Sequence, residues 1–457
     1  MNRHLGIKNR IAKKHKFNGT AVIATGFIAI IALGTLLLML PISSQSGQFT
    51  DPLTAGFTSV SATCVTGLVA VDTGSYWSAF GQAVIILLIQ VGGLGFMTVA
   101  ILAALLFGRN VTPQDRMLVA ASYNLNSSDS VLSLVRKIAL GTVTVEGIGA
   151  IILAARFVPE FGLGRGIWMG VFTSISAFCN AGFDILGNGF ASLTEYAADP
   201  VINVTVMALV VIGGIGFIVW SDLWQLFTKR KRLSVYSRLV LIITAILLVL
   251  GTVLFAAFEW NNPATLGGLG TGEKIMAASF QSVTLRTAGF CTVDNGALTD
   301  ASVLLGILLM FVGGASGSTA GGVKIVTVGI IVYTIWSVIR GKKEIVVFGR
   351  TIDSDSFTKA TATFAMQLLL IVIGTVGIML TSGQGLAEIA YEVTSAVNTV
   401  GISMGLTPAF GALPKIFLMI LMYVGRVGFF TVTCAVMSRF NRPPTSLTYP
   451  RTNILIG

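Results

Sequence analysis

Long apolar runs, broken at intervals by short polar connections, dominate this chain. Runs near Ala21–Leu40, Ile138–Phe157, Leu239–Phe258 and Thr361–Thr381 are each of about the 20 residues that a bilayer-crossing helix needs. The first stops at Pro41, whose ring cannot continue a helix. Each is followed by a shorter segment, at 53–64, 168–179, 274–285 and 386–397. A 12-residue helix such as 53–64 spans about 18 Å at 1.5 Å per residue. The hydrocarbon core is about 30 Å thick, so these segments predict re-entrant helices. A second set of long runs predicts inner helices near Ala79–Phe107, Val201–Phe227, from Ser302 onward, and Pro414–Phe440.

The short segments end alike, each in one glycine. They read FTSVSATCVTG to Gly67, FTSISAFCNAG to Gly182, SFQSVTLRTAG to Gly289 and YEVTSAVNTVG to Gly401. The inner runs carry VGGLGF (Val91–Phe96), IGGIGF (Ile212–Phe217), VGGASG (Val312–Gly317) and VGRVGF (Val424–Phe429). From loop glycine to motif glycine the spacing is 25, 31, 24 and 24 residues. Four matched copies predict a tandem repeat. The expected fold is an all-α polytopic membrane protein with four tandem outer helix–pore loop–inner helix repeats, pseudo-fourfold about one ion pore. The repeats fall at 17–110, 130–232, 235–345 and 355–440, between a basic arm at 1–16 and a tail at 441–457.

Composition agrees with a membrane chain. Of 457 residues 54% are hydrophobic and 11% charged, where soluble proteins carry about a quarter charged. The 52 glycines suit closely packed membrane helices. The net charge is +11, and 23 of the 30 Lys and Arg fall in five clusters: Arg3–Lys16, Arg109–Lys137, Lys229–Arg238, Arg340–Lys359 and Arg439–Arg451. Basic connections mark the cytosolic side, which places both termini inside a cytoplasmic membrane and leaves no case for a nucleic-acid partner. Asp51, Asp72, Asp184, Glu195, Asp199, Asp294 and Asp300 then lie outside. They either concentrate cations at a mouth or are ordinary solvated loop residues. No cleavable leader is apparent before the first span. Cys64 and Cys179 hold equivalent repeat positions, which favours packing behind the loop over a disulfide.

A cation inside a membrane must exchange its water for protein oxygens, which extended backbone can supply. Such backbone is tolerated at that depth only where it lines a cavity or is buried in protein. The candidate filter is therefore Val65, Thr66, Gly67; Asn180, Ala181, Gly182; Thr287, Ala288, Gly289; and Thr399, Val400, Gly401. Slender residues allow close approach to an axis, and glycine accepts dihedrals that others resist. The alternative is four tight turns that hold no ion. The stretch Gly313, Gly314, Ala315, Ser316, Gly317, Ser318, Thr319, Ala320, Gly321, Gly322 has little helix-forming content. It predicts an unwound intramembrane loop obstructing the pathway, with a kinked, close-packed helix as the alternative. It lacks the GK[ST] ending of a phosphate loop. Arg426 stands where the first two motifs have Gly93 and Gly214. A charge in mid-span faces a cavity or a partner, so Arg426 is expected to face the pore near the loop and repel cations when the path is shut. Lys324 either does similar work or snorkels inward. Glu146 is expected in a structural ion pair. Only two histidines occur, His4 and His15, and no catalytic constellation can be assembled, so no enzymatic activity is expected.

In combination these motifs resemble the Trk/Ktr/HKT superfamily of K⁺ transporters over about residues 17–440. The absence of two extra N-terminal spans makes the chain most similar to a Ktr-type membrane subunit. The resemblance implies eight full spans, four filter glycines, K⁺ uptake, and a gating loop at 313–322. It also implies homodimers on a cytosolic ring of RCK subunits. With no GxGxxG region in this chain, ATP or ADP would bind that partner. Na⁺ dependence is implied as well, although no residue here identifies a Na⁺ site. Gly67 argues against the Na⁺-selective variant with Ser in the first loop. An ion-coupled symporter with alternating access, or a non-conducting scaffold, are the other readings.

Overall fold

The structure is a computed structural model that describes residues 19–106, 111–122, 131–342 and 344–428. The basic arm at 1–16, His4 and His15, the cluster Arg439–Arg451, the tail at 441–457 and the fourth inner run beyond Gly428 lie outside the described residues.

One order of elements recurs along the chain. Long helix α1 (Gly19–Met39) leads to short helix α2 (Pro52–Thr63), a single turn α3 (Thr73–Tyr76), and a pair, α4 (Ala79–Leu94) and α5 (Phe96–Leu106). After α6 (Pro113–Ser122) come long α7 (Val131–Phe161), short α8 (Leu163–Phe178), and the pair α9 (Pro200–Gly214) and α10 (Phe217–Lys229). Then follow α11 (Val235–Glu259), α12 (Thr271–Thr284), α13 (Asp300–Phe311) and α14 (Ile325–Ile339). A small antiparallel hairpin, β1 (Val346–Val347) and β2 (Arg350–Thr351), pairs Val346 with Thr351. The chain continues through α15 (Ser354–Ser382), α16 (Leu386–Val397), a turn α17 (Leu406–Ala409) and α18 (Ala412–Val427).

Expected and observed elements differ in an instructive way. The four long runs are helices, and α16 covers much the same residues as expected, but α8 and α12 begin earlier than the apolar pattern indicated. The inner runs expected to be continuous are not. The pair α4 and α5 meets at 100° and the pair α9 and α10 at 97°. Each bend sits at the glycine after the double glycine: Gly95 has φ +79° and Gly216 φ +91°, left-handed values that end a right-handed helix. Gly428 ends α18 in the same way at φ +89°. Hydropathy alone could not register these bends, because residues on both sides stay apolar. Among the described residues four helices are long and apolar enough to cross a membrane, six if each bent pair counts as one, with α13 and α14 as shorter apolar helices.

The burial pattern is that of a protein whose outer solvent is lipid. The short helices lie inside: every residue of α2 from Ala55 to Thr63 is buried, including Thr58, Ser59 and Ser61. The long helices present exposed apolar side chains, among them Leu36, Leu140, Ile151, Val249, Val253, Val372 and Leu380. Such contiguous apolar surface is disfavoured in water and stable against acyl chains.

Three of the short helices dock on their long helices through one device. Ser59 Oγ donates to Ile31 O at 2.8 Å, Ser174 Oγ to Glu146 O at 2.7 Å and Ser282 Oγ to Leu248 O at 2.9 Å. Opposite each hydroxyl is a glycine on the long helix, Gly34, Gly149 or Gly251, where a methyl group would collide with that serine. The hydroxyl satisfies itself on a helix carbonyl only because the missing Cβ lets the two helices approach. In the fourth case Gly374 receives Leu421 and Val393 instead.

Candidate ion pathway

Each short helix ends in a turn that carries the backbone into the interior. The residue two before each terminal glycine is left-handed: Val65 at φ 56°, Asn180 at 59°, Thr287 at 71° and Thr399 at 49°. The glycines follow at 98°, 68°, 87° and 93°. Among the described residues, seven non-glycine positions have positive φ, and four of them are here. For β-branched residues such as Val65, Thr287 and Thr399 the conformation is costly and persists only where the surroundings enforce it. Reversing φ at every second residue also turns alternate peptide planes, which brings successive carbonyls toward one side rather than opposite sides.

Hydroxyl residues on the short helices do the enforcing. Ser61 O accepts from Thr66 N at 2.8 Å and Ser61 Oγ from Gly67 N at 3.1 Å. Ser176 O accepts from Ala181 N at 2.8 Å and its Oγ from Phe183 N at 2.9 Å. Ser395 O accepts from Val400 N at 2.8 Å and its Oγ from Gly401 N at 3.0 Å. In the third segment Thr284 O accepts from Ala288 N at 2.9 Å, while Thr284 Oγ1 donates to Phe290 O at 2.6 Å. The supporting residue is six before the glycine in three segments and five before it in the third. In the third segment the supporting residue is the last of α12, which ends five residues before its glycine where α2, α8 and α16 end four before theirs, so matching the segments by counting back from the glycines misplaces its helix by one position. The serines were legible as a recurring position, but their role needed the turn geometry.

The four segments meet in cyclic order. A methyl group placed on Gly67 would strike Ala181 O; on Gly182 it would lie 2.7 Å from Ala288 O; on Gly289, 2.7 Å from Val400 O; and on Gly401 it would strike Thr66 O. Each glycine thus faces the carbonyl before the next glycine, and the fourth returns to the first. All four glycines line one cavity of about 90 Å³, with Asp72, Asp184, Ser192, Cys291 and Ser403 on its walls. The hydroxyls of Thr66, Thr287 and Thr399 are buried with no hydrogen-bond partner among the described residues. Unpartnered oxygens and a ring of close carbonyls form a donor set for a partly dehydrated, hard cation, although no cluster of three or more His, Cys, Asp or Glu occurs among the described residues.

Next to this ring lies the Gly-rich stretch. It is not helical: α13 stops at Phe311 and α14 resumes at Ile325. Its ends are pinned by Gly313 N to Val323 O and Ile325 N to Gly314 O, both 3.0 Å. It leans on the bend of the second inner run through Ala315 N to Gly214 O and Phe217 N to Gly317 O, both 3.0 Å. Thr319 Oγ1 reaches Phe178 O at 3.0 Å, and Gly321 faces Thr399 and Asn398 so closely that a methyl there would overlap both. Arg426 donates to Thr319 O at 2.7 Å and to Gly92 O at 2.6 Å. It therefore joins the stretch to the first inner run. Lys324 Nζ turns back to Ala320 O at 2.8 Å. Gly313, Gly314, Ala315, Ser316, Gly317, Ser318, Thr319, Ala320, Gly321, Gly322, Lys324 and Arg426 are thus one contiguous unit beside the glycine ring.

The first glycine of three inner motifs binds its inner run to a short helix. Gly92 faces Thr63 O, Gly213 faces Phe178 O and Gly425 faces Val397 O, each too close for a methyl group. Residues 7–442 match the family described as TrkH, cation transport protein. The chain belongs to this family. It is 37% identical to the potassium/sodium uptake protein NtpJ of Enterococcus hirae, over 99% of both chains. It is also 37% identical to the Ktr system potassium uptake protein B of Bacillus subtilis, over 98% of this chain and 99% of that one. The fold is that of the potassium transporter TrkH from Vibrio parahaemolyticus, with a TM-score of 0.72 at 17% identity over 94% of this chain and 87% of the other.

As a TrkH-family membrane protein, the chain places its remaining polar residues more simply than its sequence suggested. Asp51, Asp72, Asp199 and Asp294 cap helix starts, each accepting from backbone N–H groups. Glu146 does not form the expected ion pair. It accepts from Gln90 Nε2 at 3.2 Å, and the two salt bridges among the described residues both belong to Arg156. Its surroundings are helix backbone, an amide and the Cys179 thiol, so it is held by dipoles rather than by a cation. Cys64 and Cys179 are free and buried, in keeping with packing behind the turns.

Proposed function

We propose that this chain takes up K⁺ through a pore at the meeting of its four glycine turns. The single observation that carries the reading is the cyclic order of contact, Gly67 to Ala181, Gly182 to Ala288, Gly289 to Val400 and Gly401 to Thr66. A closed ring of four equivalent turns is what a pseudo-fourfold arrangement of four repeats around an axis requires. The names of the related proteins, a potassium/sodium uptake protein and a Ktr system potassium uptake protein B, support K⁺ as the substrate. The carbonyls and hydroxyls of Val65–Gly67, Asn180–Gly182, Thr287–Gly289 and Thr399–Gly401 would replace the ion's water. The cavity bearing Asp72 and Asp184 would be the outer mouth, its carboxylates raising the local cation concentration.

On this reading the stretch 313–322 is the gate. Its backbone lies against the Thr399 turn, and Arg426 holds it. A positive charge beside a shut path repels cations through a low-dielectric surround. The relation to Ktr systems extends the proposal to a homodimer with both termini cytosolic, a cytosolic RCK-type ring binding ATP or ADP, and dependence on Na⁺.

The test is ion flux into liposomes that hold the purified chain, with Na⁺ and Rb⁺ as competitors, beside Gly67→Ser. K⁺-selective flux that the variant loosens toward Na⁺ supports the pore and its four-glycine filter. If folded protein gives no ion-dependent potential, alone or with candidate RCK subunits, the reading is wrong. Turnover at carrier-like rates that saturate with a second coupled ion would favour symport.

A further inference from the structure

The third turn departs from the others at the residue three before its glycine. Cys64, Cys179 and Asn398 occupy that place elsewhere, and Arg286 occupies it here. Its relative exposure is 9%. Neither salt bridge among the described residues includes it. One guanidinium nitrogen, Nη2, donates to Gly313 O at 3.4 Å, long for such a bond. Its Nε has no partner among the described residues. Burial of a cation without a counter-charge is unfavourable in any protein interior and more so at membrane depth. A group so poorly satisfied is not explained by stability.

What Arg286 touches indicates its use. Gly313 is the residue at which the Gly-rich stretch leaves α13 and where its two ends are pinned together, through Gly313 N to Val323 O. Arg286 is also bonded directly to Thr287, the left-handed residue of the third turn, whose hydroxyl lacks a partner among the described residues. Beside the guanidinium lies a cavity of about 10 Å³, lined by Gly214, Gly314, Thr244, Leu248 and Val283, about the size of one water. One side chain therefore joins the glycine ring to the base of the stretch, with unused donors and space to change partners. In the other three segments the first glycine of the inner motif (Gly92, Gly213 or Gly425) sits directly on a carbonyl at the end of the short helix; in the third, Gly313 faces Gly321 O instead, and the guanidinium bridges the gap.

We propose that Arg286 is a positioning residue that transmits ion occupancy of the glycine ring to the 313–322 stretch. With K⁺ in place the Thr287 turn is ordered, Arg286 is held against Gly313 O and the stretch stays pinned. With the ring empty the turn relaxes, the long bond is lost and the base of the stretch loosens. Coupling of this kind is a difference in free energy between two states that both sites bias. The inference rests on reading the ring as a K⁺ site and the stretch as a gate.

Amide hydrogen exchange across 312–324 tests it, on the full chain in detergent, in K⁺ and in choline buffer. Flux of the same preparations is read in liposomes. In the native chain K⁺ is expected to slow exchange at Gly313–Gly322 by about tenfold, the equivalent of about 1.4 kcal/mol. Arg286→Gln is expected to give fast exchange in both buffers, and Arg286→Lys to restore part of the K⁺ effect. A purely structural arginine would give faster exchange in Arg286→Gln with the K⁺ effect intact, which would overturn the proposal. So would exchange in the native chain that ignores K⁺, a result that stands even if Arg286→Gln does not fold. K⁺-selective flux with K⁺-independent exchange removes the tie and leaves the pore standing. Absence of K⁺-dependent exchange together with absence of K⁺ flux, alone and with candidate RCK subunits, removes the pore reading with it.

Discussion

Removing one hydroxyl from the first short helix tests the proposed filter without touching the filter itself. In Ser61→Ala the helix remains, because alanine is the better helix former, but Gly67 N–H loses its acceptor at 3.1 Å. The Ser61 carbonyl still holds Thr66 N at 2.8 Å. A buried donor left without a partner costs about 1–3 kcal/mol. Against it stands the strain of Val65 at φ 56°, where a left-handed L-residue is disfavoured by about 1–2 kcal/mol. The two quantities are of similar size, so the turn can relax by giving up its left-handed residue while the helix stays folded. The expected outcome is near-normal thermal stability with a K⁺ over Na⁺ preference reduced by up to about tenfold, since 1.4 kcal/mol is a factor of ten. Ser395→Ala, which frees Gly401 N from a 3.0 Å bond, should act alike, and Ser61→Thr should retain most of the preference. The assay is competitive ⁸⁶Rb⁺ and ²²Na⁺ uptake into liposomes beside a melting curve. Unchanged selectivity in both alanine variants, with both proteins folded, would show that these bonds do not hold the ion-selective geometry.

Three further outcomes follow from the same contacts. Gly321→Ala would drive a methyl group to 2.7 Å from Asn398 O and onto Thr399 Oγ1; with overpacking of about 1–3 kcal/mol it should lift the stretch from the ring and raise basal flux several-fold, and a fall in flux would count against the gate. Gly92→Ala meets Thr63 O, whereas Gly95→Ala meets nothing within 4 Å and bears only the strain of φ +79°; the melting temperature should drop further for Gly92→Ala, and the reverse order would contradict the packing account. Burial, with a smaller contribution from the Asp72 charge, pushes the Asp184 carboxyl up to about 6 despite its hydrogen bonds with Leu186 and Ser192. Its charge is therefore present above that pH and lost as pH falls through it. K⁺ uptake at low external K⁺ should weaken between pH 7 and 5, and Asp184→Asn should flatten that profile. Because the shift is upward, the charged form opposes folding, and stability should rise, not fall, as pH drops from 7 toward the unfolded value near 4.

The sequence by itself determined which segments recur and what kind of solvent surrounds them. Four apolar runs long enough to cross a bilayer, four half-length segments and four glycines at matched spacing were legible because each depends on local composition. The unwound 313–322 stretch was legible for the same reason, since no run of Gly, Ser and Thr sustains a helix. The tertiary structure alone decided how these parts meet. No local signal distinguishes a double glycine in a straight helix from one at a right-angle bend, since both sides of Gly95 and Gly216 are apolar. Left-handed Val65, Asn180, Thr287 and Thr399 run against their own preferences, so only partners six residues away or across the ring can impose them. The one-residue difference of the third segment was hidden by counting from the glycine. It emerged from which N–H met Thr284 O rather than Ser61 O, Ser176 O or Ser395 O. The fate of Glu146, held by Gln90 rather than by a cation, depended on helices far apart in the chain, and that of Arg286, set against Gly313, on how the successive helices α12 and α13 pack. Pairing across such distances is fixed by packing, where the absence of a Cβ at Gly34, Gly92 or Gly401 matters only once the opposing backbone is in place.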